Sequence, residues 1–450
     1  DGEPMAFWDA VVGGRSVGTP GLLRMLELAH RDHGKLPWAS LFQPAIRLAE
    51  EGFAVSPRLH ALIAGDRFLK RDPETAAYFH DAAGNPLPVG HLLKNQAYAD
   101  TLRAVAEGGA DAFYQGPIAL DIAAKAQGVT DNPGRLGYLD LRGYQAKRRD
   151  PLCLPSLQWQ VCGMPPPTSG GVAVLQILKL LEPFDLAALA PASPDAIHLV
   201  AEAGRLAFAD RNRFLADSDF VAVPLEALLD PDYLAARSGL IDPAASMGAA
   251  SPGLPSDQAH SPAQLNPPST SHLSVVDAEG NAVSMTASIE SAFGSRHMAR
   301  GFLLNNELTD FSFRPEADGR PVANRVQPGK RPRSSMSPTL VLDRQGRFVM
   351  AIGSPGGSRI IGYTAKAIIA SLDWNLSMQE AVALPNFVNR NGATDLEEGT
   401  SIEAAKAALE ALGHEVTVRG MTSGLHGIRL TPGGLDGGAA PRREGVVLTK

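Results

Sequence analysis

The chain has 450 residues, 44% of them hydrophobic, and a formal net charge of −7. This composition supports a large core, in one big domain or two closely packed halves, and excludes a chain that is disordered throughout. The scattered Lys and Arg residues argue against a nucleic-acid partner and favour a small substrate, and no stretch reaches the ~18 consecutive apolar residues of a membrane span.

The first 150 residues are predicted to be mostly helical. Apolar periodicity, caps and terminating glycines indicate helices over residues 22–33, 40–51, 56–68, 95–107 and 117–127. The chain starts without Met or a signal sequence, which suggests that an upstream segment was removed or is not part of this sequence.

A strand is predicted over residues 157–162, followed by a rigid loop, Met164 to Gly171, with three prolines and two glycines around Thr168-Ser169. Helices follow over residues 172–181 and 193–215, and a short one begins at Asp230-Pro231. Residues 243–268 have no periodicity and are rich in Pro, Ser, Ala and Gly, which is typical of a solvated tether.

Beyond residue 270 the pattern changes to strands, over residues 272–277, 281–288, 302–305, 339–342 and 348–352. Helices are then predicted over 360–372, 378–383 and 402–412, and strands over 415–419, 427–430 and 445–448. The pattern by itself predicts an α+β protein.

The junction between tether and strands reads Ser269-Thr270-Ser271-His272-Leu273-Ser274-Val275. It resembles the nucleophile motif of the gamma-glutamyltransferase family, and the resemblance covers nearly the whole chain. It implies the αββα sandwich of N-terminal nucleophile hydrolases. It also implies self-cleavage between Ser269 and Thr270, giving a large chain, 1–269, and a small chain, 270–450, that stay together as a heterodimer.

A threonine hydroxyl needs an adjacent base before it can attack an amide. Once Thr270 is N-terminal, its own α-amine, with an ordinary pKa of ~7.7–8.0, can take the proton. His272 is therefore interpreted as a structural strand residue. Before cleavage, the same hydroxyl can attack the Ser269 carbonyl and form an ester that water hydrolyses.

A second motif, Gly353-Ser354-Pro355-Gly356-Gly357-Ser358-Arg359, lies between a predicted strand and a helix. Consecutive glycines there offer backbone N–H groups to a phosphate or to a tetrahedral oxyanion. The motif lacks the Gly-Lys-Ser/Thr sequence of a P-loop. The family resemblance implies that Gly356 and Gly357 form the oxyanion hole.

Two further motifs match substrate-binding positions of the family. Ser334 and Ser335 can donate hydrogen bonds to a carboxylate, and the resemblance places them on the substrate α-carboxylate. Asp310 matches the carboxylate that holds the α-amino group, and Glu307 matches a nearby amine-contacting position. From the residues alone, an ST-turn and surface turn residues remain alternatives.

The chain departs from the family pattern at two substrate-binding positions. Ser288 matches a hydroxyl that bonds the nucleophile, but Glu290 replaces the usual Asn, and its charge would favour the α-amine and repel the α-carboxylate. The family's carboxylate-binding Arg lies in a segment that precedes residue 1. No motif transfers its role to an arginine of this chain.

The sequence implies neither a cofactor nor a metal site. Cys153 and Cys162 are too few for a zinc site or a disulfide scaffold; they pair if both lie on one hairpin, and otherwise are two small core residues. His30 and His33 have helix spacing and no carboxylate-rich partner stretch, so we interpret them as a solvated helix end.

The leading hypothesis is a gamma-glutamyltransferase or glutathione hydrolase that passes the gamma-glutamyl group to water or to an amino-acid or peptide amine. The alternatives are a glutaryl-type cephalosporin acylase and a non-catalytic protein that binds gamma-glutamyl compounds. The family resemblance implies a periplasmic or secreted location.

Overall fold

The computed structural model describes residues 3–261 and 269–449. It contains two compact units. The helical unit consists of Asp1–Arg148 and Ser288–Thr309, and the sheet unit of Arg149–Ala287 and Asp310–Lys450. This division is one of packing, so the predicted division at Thr270 into two cleavage products stays a prediction.

The helices of the helical unit are α1 Phe7–Val11, α2 Leu22–His33, α3 Trp38–Glu51, α4 Pro57–Gly65, α5 Pro73–Phe79, α6 Gln96–Gly108, α7 Asp111–Tyr114, α8 Gly116–Gln127 and α9 Tyr138–Gly143. Those of the sheet unit are α10 Gly170–Leu181, α11 Pro194–Phe214, α12 Leu225–Leu228, α13 Pro231–Ser238, α14 Ile360–Leu372, α15 Met378–Ala383 and α16 Lys406–Ala411.

The strands, in chain order through both units, are β1 Phe53–Ala54, β2 Leu92–Leu93, β3 Leu152–Ser156, β4 Trp159–Gly163, β5 Ser271–Val276, β6 Ala282–Ala287, β7 Met298–Ala299, β8 Phe302–Leu303, β9 Glu316–Ala317, β10 Arg320–Pro321, β11 Thr339–Leu342, β12 Phe348–Gly353, β13 Phe387–Asn389, β14 Thr394–Glu397, β15 Val416–Arg419, β16 His426–Thr431 and β17 Gly434–Ala439.

Local caps explain why most predicted helices are confirmed. The side chains of Ser56, Asn95 and Ser193 each accept a backbone N–H three residues on, which satisfies a donor that the first turn leaves open. The predicted helix over 56–68 ends earlier, at Gly65. The carboxylate of Asp66 accepts the N–H of Phe68 and starts a separate turn.

The helical unit has its own apolar core. Its largest cluster is formed by buried residues of α6, α7 and α8, among them Val105, Phe113, Tyr114 and Ile122, together with Leu304. The expectation that the first 150 residues are mostly helical is confirmed.

The sheet unit is built on a six-stranded antiparallel sheet with the order β17-β16-β12-β11-β4-β3. The hairpin β5–β6 packs against β12 and β16. A Cβ added at Gly353 would touch His272 of that hairpin, whereas one at Gly427 would touch Met378 of α15. Gly353 pairs with His426, the neighbour of Gly427, so the hairpin and α15 lie on opposite faces of the sheet.

The predicted strand over 157–162 is partly wrong. Leu157 has a positive φ of 53° and lies in the turn between β3 and β4, so the strand starts at Trp159. The pairing of β3 with β4 places Cys153 opposite Cys162, and a disulfide joins them. Of the two alternatives for the cysteines, the structure has the pair.

The predicted strand over 445–448 is wrong, because those residues form no strand and the last one is β17. Glycines suit β17 because the chain passes very close to its neighbours. A Cβ at Gly438 would lie 2.6 Å from the carbonyl oxygen of Met378. Strands β13 and β14, which were not predicted, form a three-stranded sheet with β15.

Residues 243–261 contain no helix or strand, as predicted for the tether, but they are held at several points. The N–H of Met247 donates to Glu202 and that of Ala250 to Asn391. The rest of the predicted tether, 262–268, lies outside the described residues. Within residues 3–261 and 269–449, none of the helices combines the length and apolar character needed to cross a membrane.

Candidate active site

The Ser269–Thr270 junction lies in the sheet unit, directly before β5. Thr270 is 9% exposed and has a φ of +92°. A positive φ is an outlier for a β-branched residue, and such conformations cost on the order of 1–3 kcal/mol. The backbone is therefore strained at the bond predicted to be cut.

The predicted oxyanion loop meets this junction. The N–H of Gly356 donates to the carbonyl oxygen of Ser269 at 3.1 Å. Gly356 has a φ of +144°, and a Cβ there would lie 2.6 Å from the ring of Tyr363. Only glycine fits at this position, and the close approach presents its amide to the carbonyl. Gly357 follows and begins the short 3₁₀ turn that leads into α14.

Arg443 holds the other side of the junction. Its Nη1 donates to the carbonyl oxygen of Thr270 at 3.0 Å, while Nε and Nη2 donate to the carbonyl oxygen of Thr422. Sequence reasoning missed this residue, since no motif marks it. The carbonyls on both sides of the Thr270 Cα are thus fixed by protein donors.

His272 lies apart from this chemistry. Its ring nitrogens bond the hydroxyls of Thr286 and Ser274. Burial, reinforced by His426, lowers the pKa of His272 to about 3. The ring is neutral at physiological pH and is held by neighbours within the hairpin, which suits the structural role predicted for it.

The predicted carboxylate-binding serines, Ser334 and Ser335, lie against the loop with three prolines. The N–H and hydroxyl of Ser169 both donate to the carbonyl oxygen of Ser334, at 2.8 and 2.7 Å. The hydroxyl of Thr168 donates to the carbonyl oxygen of Met336 at 2.6 Å. The loop over residues 164–171, which is predicted to be rigid, therefore holds the serine segment, residues 334–336, in place.

Two buried arginines lie beside these serines. Nη2 of Arg211 donates to Oγ of Ser335 at 2.7 Å, and Nε donates to Oγ of Ser169 at 2.8 Å. Nη1 of Arg333 donates to the carbonyl oxygen of Arg211. Burial lowers the pKa of Arg211 well below its usual value and that of Arg333 to about 10. Because an arginine side chain does not lose its proton in proteins, both are positively charged.

Asp310 lies within electrostatic reach of both arginines, since its carboxylate raises the pKa of each. It is 7% exposed, and its carbonyl oxygen accepts a bond from Nδ2 of Asn324. The structure thus brings the predicted amine-binding carboxylate and the predicted serine pair around one group of buried charges.

Ser288, Glu290 and Glu307 belong to the helical unit. The hydroxyl of Ser288 accepts the N–H of Glu290 at 2.8 Å, and Glu290 is buried, with a φ of +71°. The N–H of Glu307 donates to Oδ1 of Asn305. Thr270 directly precedes β5, and Ser288 directly follows β6.

One group of metal-ligand type is present in the described residues, which sequence spacing did not reveal. His198, Glu202 and His414 are buried, and their donor atoms lie within 4.8 Å of one another. The two rings share a hydrogen bond of 2.7 Å, and His198 also bonds the carbonyl oxygen of Asp242. Arg205 donates to both Glu202 and His414, and its positive charge opposes a cation there.

Comparison with known proteins assigns the family. A model of the gamma-glutamyltranspeptidase family matches residues 3–449. The chain belongs to this family. The membership confirms the resemblance found in the nucleophile motif.

Relatives within the gamma-glutamyltranspeptidase family are of two kinds. The glutathione hydrolase proenzyme of Escherichia coli (strain K12) is 37% identical over 443 residues, which are 94% of this chain and 73% of that protein. The acylase ACY 1 proenzyme of Pseudomonas sp. (strain SE83) is also 37% identical, over 446 residues that are 97% of this chain and 75% of that protein.

Among solved structures, the cephalosporin acylase from Bacillus halodurans superposes with a TM-score of 0.82 at 25% identity. The match covers 100% of this chain and 80% of that one. The predicted αββα class of the N-terminal nucleophile hydrolases is confirmed.

Proposed function

We propose that the protein is a self-processing gamma-glutamyltransferase and glutathione hydrolase. The observation that carries the proposal is the hydrogen bond from the Gly356 amide to the Ser269 carbonyl, next to the strained backbone of Thr270. An oxyanion donor already bonds the carbonyl that self-cleavage would attack. The glutathione hydrolase name of the E. coli relative supports the substrate class.

Self-cleavage begins when Oγ of Thr270 adds to the Ser269 carbonyl. The negative charge that develops on the carbonyl oxygen is stabilised by the Gly356 amide. The C–N bond breaks, the hydroxyl proton passes to the leaving nitrogen, and an ester joins Ser269 to the threonine oxygen. Water hydrolyses the ester, which releases the large chain, 1–269, and a small chain, 270–450, with a free α-amine.

In turnover, that α-amine takes the proton of the Thr270 hydroxyl as the oxygen attacks the gamma-carbonyl of the donor. The amides of Gly356 and Gly357 stabilise the tetrahedral oxyanion, and Ser288 hydrogen-bonds the nucleophile. The amine of the donor leaves with a proton, and a gamma-glutamyl ester forms on Thr270. Water or the amine of an amino acid or peptide then accepts the acyl group.

The substrate's charged end is assigned to two groups. Asp310 and Glu307 bind the α-amino group, and Ser334 and Ser335 donate to the α-carboxylate. The burial of Asp310 beside Arg211 supports its role, since a charged partner in a site of low polarity gives strong selectivity. No cofactor takes part in these steps.

The test combines mass spectrometry of the denatured protein with a measurement of p-nitroaniline release from gamma-glutamyl-p-nitroanilide. We expect two polypeptides, the smaller starting at Thr270, and faster release when a dipeptide acceptor is added. A single uncut chain that releases no p-nitroaniline would refute the proposal. If calorimetry then detected tight glutathione binding, the protein would be a non-catalytic binder.

A second candidate is a glutaryl-type acylase. It is favoured by the acylase relative, which is as similar as the glutathione hydrolase, and the departure from the family's usual Asn at Glu290 leaves it open. Glutaryl amides lack the α-amine that Asp310 would hold. A higher kcat/KM for glutaryl-p-nitroanilide than for the gamma-glutamyl compound would favour this candidate.

We also propose a periplasmic or secreted location, on the basis of the family resemblance. Fractionation of the source cells with an antibody against the small chain would test it, and recovery of the protein only with the cytoplasm would refute it.

A further inference from the structure

We propose that Arg211 determines specificity for the substrate's α-carboxylate: it orients the Ser335 hydroxyl as a donor and supplies the positive charge at that end of the site. The inference rests on the proposed function. It assigns a positioning role to a residue that no motif marks and that lies 124 positions before Ser335.

The polarity of the hydrogen bonds supports this role. Oγ of Ser335 accepts from Nη2 of Arg211, and Oγ of Ser334 accepts from the N–H of Met336 at 3.1 Å. Arginine has only donors, so the Ser335 hydroxyl must direct its own proton elsewhere. Among the described residues both hydroxyls serve only as acceptors. Two hydroxyls that donate their protons outward suit a carboxylate, because a carboxylate only accepts hydrogen bonds.

The charges point the same way. Arg211 is 5% exposed, and within residues 3–261 and 269–449 its guanidinium bonds only neutral oxygens, those of Ser169, Asn212 and Ser335. Neither it nor Arg333 forms an ion pair with a carboxylate of the described residues, although Asp310 acts on both at longer range. Buried charges without a partner are costly, and a bound carboxylate would compensate one of them.

The shape of the side chain explains why arginine is needed. Nε, Nη1 and Nη2 of Arg211 each contact a different acceptor, which fixes the plane of the guanidinium and hence the donor to Ser335. Lysine donates from a single point and cannot reach three acceptors that are spread around a planar guanidinium. A lysine here would keep the charge and lose the orientation.

The experiment compares two anilides that differ only at the carboxylate. Gamma-glutamyl-p-nitroanilide carries it, and 4-aminobutyryl-p-nitroanilide lacks it. We expect Arg211→Gln to raise KM for the first about 10- to 100-fold with a much smaller change in kcat, as for loss of a charge-assisted bond. For the second substrate, kcat/KM should change less than about threefold. Arg211→Lys should be intermediate.

Several controls separate this role from a structural one. Self-cleavage at Thr270 needs no substrate carboxylate and therefore reports folding in each variant. Arg344→Gln removes a positive charge from an exposed turn and should change neither substrate's kinetics. If Arg211→Gln fails to self-cleave, Arg211→Lys becomes the deciding variant and should still show a carboxylate-selective loss.

Equal losses on both anilides would overturn the inference and make Arg211 a structural residue. It would also be overturned, with the proposed function intact, if the wild-type enzyme cleaved both anilides equally well. A wild-type chain that stays uncut and releases no p-nitroaniline would refute the proposed function, and the inference with it.

Discussion

The nucleophile end of the candidate site, Ser269, Thr270, Gly356 and Arg443, differs in construction from the carboxylate end, Ser169, Arg211, Ser334 and Ser335. At the nucleophile end the contacts described are made to backbone groups: an amide donates to one carbonyl and a guanidinium to the next. At the carboxylate end a buried side chain directs another side chain.

The two ends are specified by different parts of the chain. A backbone amide can approach a carbonyl closely where the local conformation admits only glycine, and a short sequence motif shows where such a glycine lies. A hydroxyl is directed when a distant charged group is buried beside it, and that depends on the packing of α11 against the serine segment. The predictions below test whether the two ends are independent in this way.

The largest effect is expected for Thr270→Ala. Without the hydroxyl neither self-cleavage nor acyl transfer can occur, so the chain should remain whole and lose at least about 10⁴-fold in activity. Gel electrophoresis and anilide hydrolysis measure both. Thr270→Ser keeps the hydroxyl and should still cleave, more slowly because its χ1 is less restricted. A cleaved, active alanine variant would contradict the assignment.

Gly356→Ala should follow. Its Cβ would meet the Tyr363 ring at 2.6 Å and force the amide away from the carbonyl. Loss of one oxyanion donor lowers kcat by about 10²–10³-fold, and self-cleavage should slow as well. Gly420→Ala, where a Cβ meets nothing within 4 Å, is the matched control. Normal self-cleavage with impaired turnover would contradict the proposal that the Gly356 amide stabilises the oxyanion in both reactions.

A smaller effect is expected for Glu290→Asn. Removing the negative charge should lower KM for glutaryl relative to gamma-glutamyl anilide by about 3- to 10-fold, because the carboxylate is no longer repelled and the α-amine of the gamma-glutamyl compound is no longer attracted. Asn tolerates the φ of +71° at this position, so the backbone should be undisturbed. Glu290→Gln tests the charge alone. An unchanged substrate ratio in both variants would exclude the electrostatic role.

His272→Gln should leave activity and its pH dependence unchanged and alter only acid stability. The unfolded chain takes up a proton near pH 6.5, whereas the folded chain resists until about pH 3. The His272 contribution to stability is therefore lost as pH falls through this window, by a few kcal/mol in order of magnitude. Circular dichroism against pH should give a lower unfolding midpoint for the variant. A shifted kcat profile would restore His272 as a candidate base.

Local signals were enough for much of the fold. The bounds of α2, α14, α15 and β11 agree with the prediction, because caps, terminators and periodicity act within a few residues. Family membership followed from the motif around Thr270. The errors fell where composition misleads: the apolar Leu157 takes a positive φ in a tight turn, and the glycine-rich segment Gly434–Ala439, not 445–448, forms the last strand.

The sequence alone was enough to recognise the family, and it predicts the position of the nucleophile and the glycine of the oxyanion loop, because each depends on the conformation of a short segment. The hydrogen bonds of Gly356 to Ser269, of Arg443 to Thr270 and of Arg211 to Ser335 appear only in the folded chain. These contacts join residues 87 to 173 positions apart. At such separations the pairing is selected by burial of the surrounding core and by satisfaction of buried polar groups, which no local pattern encodes.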